Sequence, residues 1–338
     1  MTTISDEKLY EHAHRLKGKV VLITGAANGI GKETALRCAS YGAKIVIGDT
    51  DVAGAEKTVK DIKTAGGEAV FLKCNVTVYE DQIALFEVAM AMYGAVDVVI
   101  PNAGVSESGT FDFVAFSDGK PVKPDLKTMD VNLVGAIYTA HLAQHYLEVN
   151  REPGSLKSLV IIASMSSWLG FPGGAIYTAS KHALLGLMRC LWPMFKTRDT
   201  RIATVHPFFA DTGIVPPSMR LFLAGIQLAP VPRIAGAIVH AATNPDPETS
   251  GVPYLLANNG SVLMLPREEL KLGVYELIDR RVNMMVGGIA GITYYSKVTT
   301  DLVRVVAPPL VVAGLGISAV KLGWTHRELV LGYLHKLL

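Results

Sequence analysis

Short β-branched runs alternate with longer amphipathic stretches over the first two-thirds of the chain. KVVLITG (19–25) reads as a buried strand closed by glycine, GIGKETALRCASYG (29–42) as a helix, and AKIVIGD (43–49) as a second strand. A helical AGAEKTVKDIKTAGG leads into EAVFLKCNV, and DQIALFEVAMAMYG leads into VDVVIPNAG. A long helical region through MDVNLVGAIYTAHLAQHYLEV then precedes SLVIIAS, and RIATVHP follows further on. Strands that are apolar on both faces, spaced by helices, predict an α/β domain: a doubly wound parallel sheet covered on both sides. After VPYLLA (252–257) the alternation stops. From about 266 the chain turns charged and helical in REELKLGVYELIDRR, then apolar and glycine-rich, and closes on HRELVLGYLHKLL. The expected organisation is one catalytic domain over 1–265 and a C-terminal apolar helical appendage over 266–338.

Composition sharpens this picture in three places. Charged residues make up 18% of the 338 residues, against about 25% in an average soluble domain. Part of the excess lies late: Val305 to Val320 carries no charge. That run is shorter than the ~20 residues of a bilayer span and holds Pro308 and Pro309, so a buried or interfacial helix is expected, with membrane contact through 284–324 left open. The net charge of +2, with no basic run, argues against a nucleic-acid partner. Cys38, Cys74 and Cys190 are scattered, and the charged start MTTISDEKLYEHAHRLKGK has no apolar core, so a reducing, cytoplasmic setting is expected.

The first predicted strand runs into T-G-A-A-N-G-I-G, Thr24 to Gly31, which opens a helix. Such a turn lets backbone N–H groups and a helix N-terminus approach a pyrophosphate. Many tight strand-to-helix turns bind nothing, but here Asp49 closes the second strand, where a carboxylate can accept both hydroxyls of an adenosine ribose and repel a 2′-phosphate. The other reading of Asp49 is an ordinary strand-end or helix-capping aspartate. IYTASKHAL (176–184) places Tyr177 and Lys181 on one helix face. His141 and His145 are four apart without a glutamate between them, so no metal site is expected, and His182 reads as structural or solvent-facing.

Five features in order resemble the short-chain dehydrogenase/reductase family. They are the T-G-x-x-x-G-I-G turn, N-A-G at Asn102–Gly104, Asn132 in MDVN, Ser164, and Tyr177-x-x-x-Lys181 thirteen residues after that serine. The resemblance covers about residues 17 to 260, and YTASKHALLG is similar to the NAD-dependent hydroxyprostaglandin dehydrogenases. It implies a Rossmann fold and an NAD-dependent dehydrogenase with Asn132, Ser164, Tyr177 and Lys181 as catalytic residues. Tyr177 would be the base, its pKa of about 10 lowered by the Lys181 ammonium and the nicotinamide. Lys181 would also hold the nicotinamide ribose, Ser164 the substrate oxygen, and Asn132 a proton-carrying water, with Ser166 and Ser167 as decoys. Gly25, Asn28, Gly29, Ile30, Gly31, Asp49, Asn75, Val76, Asn102, Tyr177, Lys181, Ala210 and Thr212 would bind cofactor. Asn75 replaces the family's usual aspartate and would serve the adenine amino group through its side-chain carbonyl. Pro101 replaces the commoner asparagine, and Phe208 stands where glycine is usual.

The segment FFADTGIVPPSMRLFLAGIQLAPVP falls where the family has its substrate lid, and it is rich in apolar side chains. An apolar alcohol or ketone suits it better than a sugar; packing on a partner subunit, and hence a homo-oligomer, is the other reading. The leading expectation is NAD-linked oxidation of a secondary alcohol on a hydrophobic steroid-, terpenoid- or oxylipin-like molecule. Ketone reduction with NADPH is the alternative. A non-catalytic dinucleotide-binding scaffold comes third, disfavoured by the intact Ser164, Tyr177 and Lys181.

Overall fold

The computed structural model describes residues 2–109, 111, 113–170, 173–213, 215, 223–257 and 260–267, with the single positions 278, 281, 284, 287 and 288. The chain divides into two compact units, Met1–Leu277 and Ile278–Leu338. Most of the expected appendage, the Val305–Val320 run and the closing HRELVLGYLHKLL lie outside the described residues, as does lid segment 216–222. No described helix is long and apolar enough to cross a membrane.

In the first unit the strands are β1 (Thr2–Ile4), β2 (Val20–Thr24), β3 (Lys44–Asp49), β4 (Glu68–Lys73), β5 (Val98–Pro101), β8 (Ser158–Ile162), β9 (Arg201–Pro207), β10 (Val252–Leu256) and β11 (Val262–Met264). Two short strands, β6 (Phe116–Ser117) and β7 (Lys120–Pro121), form a separate hairpin. The helices are α1 (Gly29–Ser40), α2 (Val52–Thr64), α3 (Tyr79–Tyr93), α4 (Lys127–Met129), α5 (Gly135–Tyr146), α6 (Ala175–Thr197) and α7 (Val231–Thr243). The sheet order is β1-β11-β10-β9-β8-β5-β2-β3-β4. Pairing from β10 through to β4 is parallel, as the apolar strand runs predict.

Alternate residues of β2 point to opposite layers. Val21 and Ile23 join Ala35 and Cys38 of α1 and Ile234 and Ile238 of α7. Leu22 joins Phe86 of α3, Ala140 of α5 and Leu184 and Met188 of α6. The order reverses between β2 and β5, so the crevice at the carboxyl ends of these two strands is where a ligand fits an open α/β sheet.

Both chain ends of this unit depart from expectation. The start reads as a charged lead-in, yet Thr2–Ile4 pairs antiparallel with Val262–Met264, and Leu9, Ala13 and Leu16 are buried. Leu9 lies against Gly236, where a Cβ would come within 3.0 Å of its side chain. At the other end the expected 265/266 boundary falls short. The Arg267 guanidinium donates 2.6 Å to the Glu248 carboxylate, bonds the Ser250 carbonyl and stacks 4.4 Å from the Trp192 ring centroid. A single arginine fixed by three partners leaves no signature in hydropathy.

Candidate active site

At the switch point, Gly25 turns away from the end of β2 at φ +73°, and a Cβ there would sit 2.6 Å from the Ala103 Cα. A Cβ on Gly31 would sit 2.1 Å from the Gly25 carbonyl oxygen and 2.5 Å from the Asn102 amide nitrogen. The glycines therefore let three backbone segments meet where any side chain would separate them. The Asn102 amide donates 3.1 Å to the Thr24 carbonyl and 2.6 Å to that of Gly25, so it braces the turn. Asn28 precedes α1 but gives it no side-chain cap; its amide instead reaches 2.9 Å to Asp51. The first N–H groups of α1 are left to an external anion, as a pyrophosphate requires. Thr212 lies over the turn, its methyl 3.3 Å from where a Gly29 Cβ would stand. Ala210 is tied to Ala229 by a single parallel bridge, and Ile30 packs against the core.

Asp49 is pinned by backbone: one oxygen accepts Ala27 N–H at 2.8 Å, the other Asp51 N–H at 2.9 Å. Each carboxylate oxygen keeps acceptor capacity for a ribose hydroxyl. The helix-capping reading of Asp49 falls to Asp51, whose carboxylate accepts Gly54 N–H at 3.0 Å. Asn75 departs from expectation: its side-chain carbonyl accepts both the amide (3.1 Å) and hydroxyl (3.0 Å) of Thr77. Two acceptor sites on one carbonyl are thereby used in a local turn, not held open for an adenine amino group. Val76 packs tightly on the backbone of α5, 2.7 Å from a Cβ position on Gly135. This surface fits a dinucleotide by its uncapped helix N-terminus, its glycine floor and its pinned carboxylate.

The second half of the site gathers at the ends of β5 and β8. Ser164 opens a 3-10 turn, Met165–Ser167, its hydroxyl accepting Ser166 N–H at 3.1 Å. Burial raises the Tyr177 phenol above its ordinary value, and the Ser164 side chain beside it only partly opposes that rise. The expected lowering by Lys181 is not what this geometry produces. The Lys181 ammonium is committed at 3.0 Å to the Ile162 carbonyl and lies 5.7 Å from the Tyr177 ring centroid, while burial pulls it down to about 8. Desolvation of both partners outweighs their mutual effect here. Ser167 is more than a bystander: its hydroxyl donates 2.7 Å to the Lys181 carbonyl and ties the turn to α6.

Asn132, 1% exposed, lies in a π-helical segment, Asp130–Val134, between α4 and α5. Such segments recur at functional sites. Its side chain accepts Val105 N–H at 2.8 Å and donates to the Val105 carbonyl at 2.9 Å. The side chain thus braces the loop after β5, using one of its two acceptor sites and one of its two N–H donors.

Sequence reading missed two residues beside this cluster. His206, fully buried, faces the Ser164 carbonyl with Nδ1 (2.9 Å) and the Thr204 hydroxyl with Nε2 (2.8 Å). A carbonyl only accepts, so Nδ1 carries a proton, and burial favours the neutral ring. Glu107 accepts the backbone N–H groups of Ile176 and Tyr177. Its partners lie 69 and 70 residues away, beyond any local pattern. Among the described residues no three His, Cys, Asp or Glu side chains gather as a metal site. His141 lies tilted 6.3 Å from the Tyr79 ring centroid, and His182 is exposed.

Burial pushes His206 down to about 3 and His240 down to about 4. Both are held neutral when folded, whereas the unfolded chain takes up their protons near 6.5. Stability is therefore complete above about pH 6.5 and falls as pH drops toward 4, by about 2 kcal/mol per histidine at pH 5. Urea unfolding at pH 7.5 and 5.0 checks this, and equal stabilities at the two values would contradict it. His206→Asn should remove part of the acid sensitivity.

The geometry agrees with comparison to known proteins. The family model described as short chain dehydrogenase matches residues 19–220. A cyclohexanol dehydrogenase of an Acinetobacter species is 28% identical over 74% of this chain and 92% of its own. A 5'-hydroxyaverantin dehydrogenase of Dothistroma septosporum is 30% identical over 64% of this chain and 75% of its own. The crystal structure of a 3-ketoacyl-(acyl-carrier-protein) reductase from Brucella melitensis complexed with NADH superposes with a TM-score of 0.63 at 26% identity, covering 72% of this chain and 98% of that one. The chain belongs to the short-chain dehydrogenase family and is an oxidoreductase with a Rossmann-like α/β fold.

Proposed function

We propose that the protein oxidises a secondary hydroxyl on an apolar, cyclic or polycyclic molecule to a ketone, with NAD as the acceptor. The observation that carries this reading is Ser164 beside the buried Tyr177 phenol, with the buried Lys181 ammonium 5.7 Å from the Tyr177 ring centroid. Bound NAD supplies the hydride acceptor at its nicotinamide ring. Gly25, Asn28, Gly29, Ile30 and Gly31 seat its pyrophosphate, and Asp49 takes the adenosine ribose. Val76, Asn102, Ala210 and Thr212 flank it. Ser164 holds the substrate oxygen, and Tyr177 takes the hydroxyl proton as the C–H bond breaks. The buried phenol becomes a usable base when positive charge is close, and Lys181, with two N–H bonds beyond the one spent on Ile162, supplies part of that charge and grips the nicotinamide ribose.

The apolar substrate class is supported by the excursion between β5 and α4, where Phe111, Phe113, Val114 and Phe116 stand exposed. Relatives named for cyclohexanol and 5'-hydroxyaverantin support it too. The likeness to hydroxyprostaglandin dehydrogenases keeps oxylipins within the class. The structural neighbour named as a reductase favours the reverse direction as the second reading.

The test is turnover of purified protein with NAD and NADP on cyclohexanol, a sterol, a monoterpene alcohol, a hydroxy fatty acid and a sugar. Apolar alcohols should be oxidised, with NAD favoured at least tenfold in kcat/KM. Asp49→Ala should erode that preference by about tenfold, ~1.4 kcal/mol. A wild-type preference for NADP would overturn the cofactor assignment. Preference for the sugar would overturn the substrate class, and no turnover in either direction would overturn the activity.

A further inference from the structure

The helix that carries Tyr177 and Lys181 begins without a cap of its own. Gly174 stands at the N-cap of α6 and offers no side chain. The amide of Thr178 is satisfied within the helix, by the Gly174 carbonyl at 2.8 Å. Those of Ile176 and Tyr177 are not; they donate to the two oxygens of one carboxylate, Glu107, at 3.2 and 2.6 Å. A carboxylate on helix N–H groups is favoured by both charge-assisted bonding and the helix dipole.

Glu107 is itself held from behind. The loop before it is gripped on both sides of Val105 by Asn132. The Thr128 hydroxyl donates to the Ser106 carbonyl at 3.0 Å and accepts Ser108 N–H at 2.9 Å. The Ser108 hydroxyl donates to Asp125 at 2.5 Å. A strap of hydrogen bonds thus runs from Asn132 and Thr128 through residues 105–108 to the backbone of Tyr177. It gives a use to the buried Asn132 side chain, whose bonds all go to this loop.

We propose that Glu107 is a positioning residue, an internal anion that seats the first turn of α6 and thereby sets Tyr177 against Ser164. The proposal rests on the reading of Tyr177 as the proton acceptor. Because one bond ends on the amide of Tyr177 itself, a displaced carboxylate displaces the residue that must align with substrate. A misplacement of about 1 Å at a reacting group can cost about a hundredfold in rate. Glutamine keeps one acceptor and loses the charge. Aspartate keeps both oxygens on a stem one methylene shorter.

The test compares wild type, Glu107→Ala, Glu107→Gln and Glu107→Asp as full-length chains. Hydrogen exchange resolved to single amides should accelerate at least tenfold at Ile176 and Tyr177 in the alanine variant, and less at Thr178. Sodium formate should slow it again, whereas formamide, neutral and of similar size, should not. NADH titration by fluorescence should change less than twofold. On the best alcohol of the panel, kcat should fall at least tenfold in Glu107→Ala with the KM for NAD unchanged. Formate should restore part of the loss, and Glu107→Asp should retain more activity than Glu107→Gln. Unchanged exchange at both amides would overturn the proposal. So would accelerated exchange with kcat within twofold of wild type, or a loss that formate does not touch and aspartate does not lessen. If Glu107→Ala does not fold, Glu107→Gln carries the same readouts with smaller changes. Exchange needs no substrate, so a wild type that oxidises no alcohol sinks the functional reading while the exchange result still decides whether Glu107 seats the helix.

Discussion

Tyr177→Phe lowers kcat by about a thousandfold or more, ~4 kcal/mol of barrier, while leaving NADH affinity within about twofold. The ring is retained, so its packing is undisturbed, and only the hydroxyl beside Ser164 is lost. Lys181 is not a substitute base. Its ammonium is buried and already donates to Ile162, and with its pKa near 8 it stays mostly protonated at neutral pH. Single-turnover measurement with saturating NAD separates the chemical step from binding. A kcat within about tenfold of wild type, ~1.4 kcal/mol, would remove Tyr177 from the role of proton acceptor.

Gly31→Ala should weaken NADH binding by about a hundredfold, ~2.7 kcal/mol, and lower the melting temperature. The added methyl would stand 2.1 Å from the Gly25 carbonyl oxygen and 2.5 Å from the Asn102 amide. Neither neighbour is a flexible tip. The Asn102 amide is fixed by the Thr24 and Gly25 carbonyls, and Gly25 N–H is bonded to the Gly48 carbonyl at 2.7 Å. Relief must come from moving α1 away from β2, which pulls its N-terminal N–H groups off the pyrophosphate. Gly186→Ala on α6 is the control, because a Cβ there meets nothing within 4 Å. Its binding curve should overlay wild type. Equal affinities for wild type and Gly31→Ala would show that the turn is not the phosphate seat.

The central strands were readable because they are short, mostly apolar runs in a sheet covered on both faces, as VVLIT and SLVII are. The seven-strand parallel core follows that reading with small shifts at element ends. β1 and β11 were not readable: each is three residues long, too short to show a period, and they pair with each other from near the two ends of the first unit. The hairpin β6–β7 has two residues per strand and likewise leaves no pattern. In the candidate site, the spacing of Gly25, Gly29 and Gly31 and of Tyr177 and Lys181 was visible because each group lies within one local element. The helix places the last two on one face whatever surrounds them.

By itself the sequence determined the sheet's parallel core, the glycine turn and Asp49 at the end of its strand, since these depend on short-range period and backbone sterics; likeness to the family pointed to Ser164, Tyr177 and Lys181. Only the tertiary structure decided what those groups are bonded to. Burial, not Lys181, dominates the Tyr177 phenol; the Asn75 carbonyl turns to Thr77; and Asn132 grips Val105. His206 holds Ser164 from a strand 42 positions on, and Glu107 caps a helix 70 positions away. Hydrogen-bond partners and desolvation are properties of points in space, and a linear pattern carries no information about which distant residue the fold brings to a given point.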